Sequence, residues 1–180
     1  MSTVVVSDSS PLHYLVLCDA TEVLPRLFDR VVVPEAVVAE LSHAHTPHRV
    51  REWLAAPPAW VEVRKATPSL EFGVKLGMGE TQAIALAVEL RPDAVLMDDH
   101  KATLAARQNG LVVVATLAIL EQAAERGLLD LRKAVTALSG TNFRISPRIL
   151  TEALARHEQR TRQIPPGRPT EYDSSHGPEP

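Results

Sequence analysis

Short runs of β-branched and aliphatic residues recur along this chain, and each is followed by a stretch with helical spacing. Thr3 to Ser7, Arg30 to Val33, Trp60 to Val63, Ala94 to Met97 and Leu111 to Val114 read as strands. Between them, apolar residues repeat every three to four positions, as a helix with one buried face requires. Alternation of this kind predicts a parallel sheet with helices on both faces. Parallel neighbours need crossover connections, and strands buried on both faces read as continuous apolar runs.

Local punctuation sets the expected boundaries. A serine cap and a proline in the first turn start a helix at Ser9-Ser10-Pro11, carrying Leu12, Leu15 and Val16 inward. A second helical piece is expected around Val23 to Phe28, and Pro34 closes a strand and opens the helix Glu35 to Leu41. Helical spacing returns around Val50 to Leu54 and breaks at Pro57-Pro58. Further helices are expected from Gly79-Glu80 to Leu90, from Lys101 to Asn109 with Gly110 as its stop, and from Leu117 to Arg126 with Gly127 as its stop. Two more, Leu131 to Leu138 and Pro147 to His157, are expected to pack on the rim.

With 180 residues, 45% of them hydrophobic, the chain can bury one core. The reading is one domain over residues 1–160 and a disordered, proline-rich tail over 161–180, where the text turns to Ile-Pro-Pro-Gly-Arg-Pro and similar polar sequence. A formal charge of -3 speaks against a protein that coats nucleic acid by net positive charge, but not against an enzyme with an acidic site and a basic rim. No run approaches the roughly 18 apolar residues of a membrane span, and the N-terminus lacks the charged region of a signal peptide, so a cytoplasmic protein is expected. The single cysteine, Cys18, lies in an apolar run and reads as a core thiol.

The acids carry the chemical signal. In open parallel sheets function gathers at the carboxyl ends of the strands, and Asp8 follows the first strand while Asp98 and Asp99 follow the fourth. Singly, each reads as a turn or cap residue; together they emerge on one edge. Glu80 stacks at helical spacing with Ile84 and Ala87, on the face that turns toward the protein. Glu40 sits at the edge of the stripe made by Val37, Val38 and Leu41. Carboxylates about 4 Å apart repel by roughly 4 kcal/mol at an effective dielectric near 20, so a convergent set needs cations. An oxygen-only donor set without thiolates suits Mg²⁺ or Mn²⁺, and points to metal-assisted phosphodiester hydrolysis.

Four motifs in order carry a family resemblance: Val5-Val6-Ser7-Asp8-Ser9-Ser10-Pro11-Leu12, Val33-Pro34-Glu35-Ala36-Val37-Val38-Ala39-Glu40-Leu41, Leu76-Gly77-Met78-Gly79-Glu80-Thr81-Gln82-Ala83-Ile84 and Val95-Leu96-Met97-Asp98-Asp99-His100-Lys101-Ala102. Together they resemble a PIN domain, of a subfamily without assigned function related to the toxins of type II toxin–antitoxin pairs. The likeness runs on through Gly110 to Thr116 and to about Ala155. It implies a three-layer α/β/α fold with a central, mainly parallel sheet. It also implies a Mg²⁺- or Mn²⁺-dependent endoribonuclease acting on RNA, a homodimer, and a small antitoxin as partner. By the same resemblance Asp8, Glu40, Glu80 and Asp99 are the catalytic acids, Asp8, Glu80, Asp98 and Asp99 the metal ligands, and Ser10 the hydroxyl that positions water or metal. The fourth acid is open between Asp98 and Asp99: the basic residues that follow favour Asp99, with Met97 where many relatives have threonine.

Other readings compete. A catalytically idle PIN fold that binds RNA or protein is the alternative from another class. His43, His45 and His48 suggest zinc but lack the usual Cys or Glu-x-x-His context and read as a solvated loop. Aspartyl-phosphate chemistry is disfavoured, since Ser10 stands where the haloacid-dehalogenase-like phosphatases have a second aspartate. Gly77-Met78-Gly79 lacks the Walker lysine. Two Trp, two Tyr and three Phe give no evident stacking platform for bases.

Overall fold

A computed structural model describes residues 2–67 and 72–163. Five strands form one sheet: β1 (Val4–Ser7), β2 (Arg30–Pro34), β3 (Val61–Arg64), β4 (Ala94–Leu96) and β5 (Val113–Val114). Their order is β3-β2-β1-β4-β5, and every neighbouring pair is parallel. The chain adds β2 and β3 on one side of β1, then returns to add β4 and β5 on the other. The change of direction falls between β1 and β4, and the carboxyl ends there face the crevice in which such sheets hold their ligands.

Alternation along the strands divides the core into two. Val5, Val31, Val33, Ala94 and Leu96 point to one face, whereas Val6, Val32, Val95 and Met97 point to the other. The first face is covered by α1 (Ser9–Leu17), α7 (Thr116–Glu125) and α8 (Leu131–Ser139), through Leu12, Leu15, Ile119, Leu120 and Leu138. The second is covered by α5 (Met78–Leu90) and α6 (His100–Gln108), through Ile84, Leu86, Ala102 and Ala106. Three layers, helix, sheet and helix, are the result. The remaining helices are α2 (Leu24–Leu27, after a 3₁₀ turn at Thr21–Val23), α3 (Glu35–Leu41), α4 (His48–Ala55) and α9 (Pro147–Gln163).

Several expected details change. Asp8, rather than a serine, occupies the N-cap of α1, with Pro11 as the third helical residue. Strand β5 is shorter than its apolar run, because Val112 stands 62% exposed at the sheet edge, although its carbonyl still accepts from Val95 N–H at 2.8 Å. Helix α8 is no rim element: Leu131 and Leu138 are fully buried. Helix α9 continues to Gln163, beyond the expected end at His157, and residues 164–180 of the expected tail lie outside the described residues. Cys18 is half-buried against the first core cluster, and burial raises its thiol pKa. Among the described residues no helix is long and apolar enough to cross a membrane.

Candidate functional site

Strand β1 ends at Ser7, so Asp8 is delivered at the carboxyl edge of the central strand. Its backbone N–H donates to Leu96 O at 2.9 Å, which locks the exit of β1 beside that of β4. Met97 turns into the core, and Asp98 and Asp99 follow at the same edge. Glu40 comes from the last turn of α3 and Glu80 from the first turn of α5. All five acids, with Ser9 and Ser10, line one open cleft of about 730 Å³.

Four of the five carboxylates are held by close donors on a neighbouring element or their own helix. Glu40 accepts from Gly79 N–H at 2.7 Å and from the Ser9 hydroxyl at 2.6 Å. Gly79 has to be a glycine for this approach, since a Cβ there would stand 2.5 Å from Glu40 Oε2. Glu80 reaches back to accept Gly77 N–H at 2.7 Å, a helix-start contact that satisfies one orphan donor. Asp99 caps α6 by accepting Ala102 N–H at 2.9 Å. Asp98 accepts from Thr116 twice, Oδ1 from the N–H at 2.8 Å and Oδ2 from the hydroxyl at 2.7 Å.

Asp8 is the exception. It is 3% exposed, and the hydroxyl of Ser9 lies 3.3 Å from it but closer, at 2.6 Å, to Glu40. Burial raises its carboxyl from the ordinary 3.8 to about 7; the Ser9 amide and hydroxyl oppose this, and the charges of Glu80 and Glu40 add to it. Burial also raises Glu80, against the pull of Gly77 N–H and with the charges of Asp99 and Glu40 adding to the rise. Asp98 is raised by burial and held back by its two bonds from Thr116 and by the nearby Ser10 hydroxyl. The Ser10 oxygen is itself buried with no hydrogen-bond partner.

This donor set suits a hard divalent cation: it is all oxygen, crowded with negative charge, and contains one acid that burial leaves half-neutral at physiological pH. Among the described residues, however, no three His, Cys, Asp or Glu side chains stand together as a ready cage for one ion. The physical reason is local. Glu40, Glu80, Asp98 and Asp99 each point an oxygen at an amide or hydroxyl of the protein, which turns them from a common centre.

The chain matches the PIN-domain family over residues 4–159, a span that takes in every one of these acids. It belongs to that family. PIN domains are usually nucleases and generally use divalent metal ions. Among solved structures, a PilT N-terminus domain protein from the hyperthermophilic archaeon Sulfolobus solfataricus is similar, with 17% identity and a TM-score of 0.48, over 68% of this chain and 94% of that one. No curated protein matches.

The cleft of this PIN domain contains more than the sequence reading named. His13, Tyr14, Thr46, His100, Asn142, Phe143 and Arg144 also line it. Thr116 was legible in principle, because it follows β5 at the same carboxyl edge that supplies Asp8 and Asp98. His13 and Tyr14 are one helical turn beyond Ser9 and Ser10, and their spacing puts them on the cleft side of α1. Asn142, Phe143 and Arg144 carried no local signal, since the link from α8 to α9 reaches the cleft only through the tertiary fold. The three histidines do not enter as a group: His43 stacks on His45 at 5.2 Å, and His48, which opens α4, pairs with Glu52 at 3.1 Å.

Proposed function

We propose that this PIN domain is a metal-dependent endoribonuclease that hydrolyses RNA phosphodiester bonds. The observation that carries the reading is the gathering of Asp8, Glu40, Glu80, Asp98 and Asp99 on one cleft at the switch point of the sheet, with Asp8 buried and under-supplied with donors. An idle module has no physical reason to keep a carboxyl in that state.

In this reading Asp8, Glu80 and Asp99 hold the principal cation, Mg²⁺ or Mn²⁺. Bound there, the ion supplies a nucleophile by lowering the pKa of water and steadies charge on the phosphate oxygens. The chain's own groups do the rest. Asp8 gives up its proton on loading, since a nearby cation favours the carboxylate. Glu80 and Asp99 would each offer the ion the oxygen that its helix start leaves free. Glu40, clamped by Ser9 and Gly79, stays at the rim, where it can orient a water or recruit a second ion. Asp98, fixed by Thr116, stands beside Ser10, whose unpartnered oxygen is available to water or metal.

Purified protein incubated with a mixed RNA pool should cut it in Mg²⁺ or Mn²⁺ and stop when EDTA is added. A pool that stays intact while calorimetry registers metal binding leaves the carboxylate site standing and removes the ribonuclease. Absence of both supports the idle module instead. A role as the toxin of a pair, with a small antitoxin and a homodimer, rests on the family resemblance. Growth arrest on induced expression, relieved by the product of an adjacent small gene, is its test.

A further inference from the structure

One wall of the cleft is aromatic and lies beside the carboxylates. His13 and Tyr14 of α1 meet Phe143, which comes from the link between α8 and α9. The His13 and Tyr14 rings are 4.9 Å apart at 70°, and those of Tyr14 and Phe143 4.7 Å apart at 75°. Edge-to-face contacts of this kind fix ring orientation, while all three rings remain partly exposed. Tyr14 donates its hydroxyl hydrogen bond to Asn142 Oδ1 at 3.3 Å. This commits the amide oxygen and leaves its two N–H donors for a ligand. Arg144 follows at once in sequence, is exposed, and makes no ion pair among the described residues.

A second recess of about 680 Å³ opens from the same place, sharing His13, Thr46 and Asn142 with the first. Thr136 and Thr141 help to line it, and among the described residues no Asp or Glu does. A polyanionic strand could therefore leave the acidic centre along a path without carboxylates.

We propose that His13, Tyr14 and Phe143, with Asn142 and Arg144, form a subsite of this chain for an unpaired nucleobase next to the scissile phosphate. The proposal rests on the nuclease reading for the scissile step but not for binding. A base packs against the ring wall and accepts from the Asn142 amide. Arg144 meets the adjoining phosphate, and the next phosphate lies over the acids. Duplex is excluded from this contact because its bases are already stacked and paired. An aromatic segment of a protein partner is the competing occupant. It is less well matched, because it gives neither a ring-edge acceptor for Asn142 nor a phosphate for Arg144.

The test uses the full chain carrying Asp8→Asn, which keeps a probe intact, in Mg²⁺. A fluorescein-labelled seven-nucleotide RNA without self-complementarity is titrated by anisotropy beside the same sequence annealed to its complement. Single strand should bind at least tenfold more tightly than duplex. Phe143→Leu should weaken single-strand binding about tenfold, the size of one lost base–aromatic contact. Phe143→Trp should restore it, which a purely structural role for the ring would not require. Asn142→Ala, at an exposed position, should weaken it with the chain still folded. In cleavage by the otherwise native chain, Phe143→Leu should raise KM more than it lowers kcat. Equal binding of single strand and duplex overturns the proposal, as does undiminished binding by Phe143→Leu. Capture of an aromatic peptide without any binding of RNA overturns it in favour of the protein partner. If the native chain cuts nothing while the Asp8→Asn chain binds single strands as described, the nuclease reading fails and the subsite stands.

Discussion

The backbone N–H of Gly79 donates to Glu40 Oε1 at 2.7 Å, and a Cβ on residue 79 would come within 2.5 Å of the same carboxylate's other oxygen. Helix α5 is thereby docked on α3 through a contact that only glycine permits. Gly79→Ala should push the Glu40 side chain out. Losing a charged hydrogen bond costs about 1.5–3 kcal/mol and alanine regains about 1 kcal/mol of helix propensity, so the fold should survive with a net loss of about 1 kcal/mol. Activity should fall on the order of 10²-fold, as expected for a catalytic group misplaced by about an ångström. Gly77→Ala is the control, since its Cβ would meet Glu80 Oε2 at an ordinary 3.4 Å. Urea melts and single-turnover cleavage of the two variants separate the effects.

Asp8 sets a pH dependence. Its folded carboxyl stands at about 7 against an ordinary 3.8. The folded state therefore holds the proton more tightly, and ionising Asp8 costs stability as pH rises from about 4 to about 7. Asp8→Asn removes that cost. In EDTA the variant should match the parent near pH 4 and exceed it increasingly up to pH 7–8, by as much as about 4 kcal/mol. Paired urea denaturation curves across that range measure it, and a difference that does not change with pH counts against the assignment.

Metal should narrow this gap. A cation at about 100 times its Kd adds about 2.7 kcal/mol, which for a chain of this size raises Tm by roughly 5–10 °C. Differential scanning in Mg²⁺ or Mn²⁺ should show that rise for the parent and little of it for Asp8→Asn or Glu80→Gln. EDTA should return the parent to its starting Tm.

Thr116, fully buried, holds Asp98 by two bonds, one from its backbone N–H and one from its hydroxyl. Thr116→Val removes the hydroxyl donor at nearly constant volume and leaves Asp98 Oδ2 without its partner, a cost of about 1–3 kcal/mol. Thr116→Ser should remain close to the parent. Because that hydroxyl lowers the Asp98 carboxyl, the Val variant should lose most at higher pH, where Asp98 is charged, and regain stability as pH falls through the raised carboxyl value. Chemical denaturation at two pH values decides this.

The layers and the sheet were legible because their determinants are local: runs such as Val4-Val5-Val6 and Val31-Val32-Val33 bury both faces, and parallel pairing follows from the helices between them. The edge on which Asp8, Asp98 and Asp99 emerge followed from the same rule, and the placement of Glu80 followed from its helical spacing with Ile84 and Ala87. What pairs with these acids was not legible. Ser9 meets Glu40 across 31 positions, Gly79 meets Glu40 across 39, and Thr116 meets Asp98 across 18. No periodicity encodes such contacts. The aromatic wall was missed for a related reason: few aromatic residues suggested no platform, whereas folding brings Phe143 from a distant link onto Tyr14. The choice between Asp98 and Asp99 gains a physical contrast. Both oxygens of Asp98 are engaged by Thr116, whereas Asp99 has Oδ1 on Ala102 N–H and its exposed carboxylate faces the cleft.

The central claim is that these carboxylates hold metal in order to cut RNA, and the single-turnover cleavage rate of Asp8→Asn against the parent, on one RNA in saturating Mg²⁺, tests it most directly. The account predicts a fall of at least 10³-fold, as for loss of a group that acts in the transition state, with the variant still folded by circular dichroism. A variant that cuts as fast as the parent would contradict it.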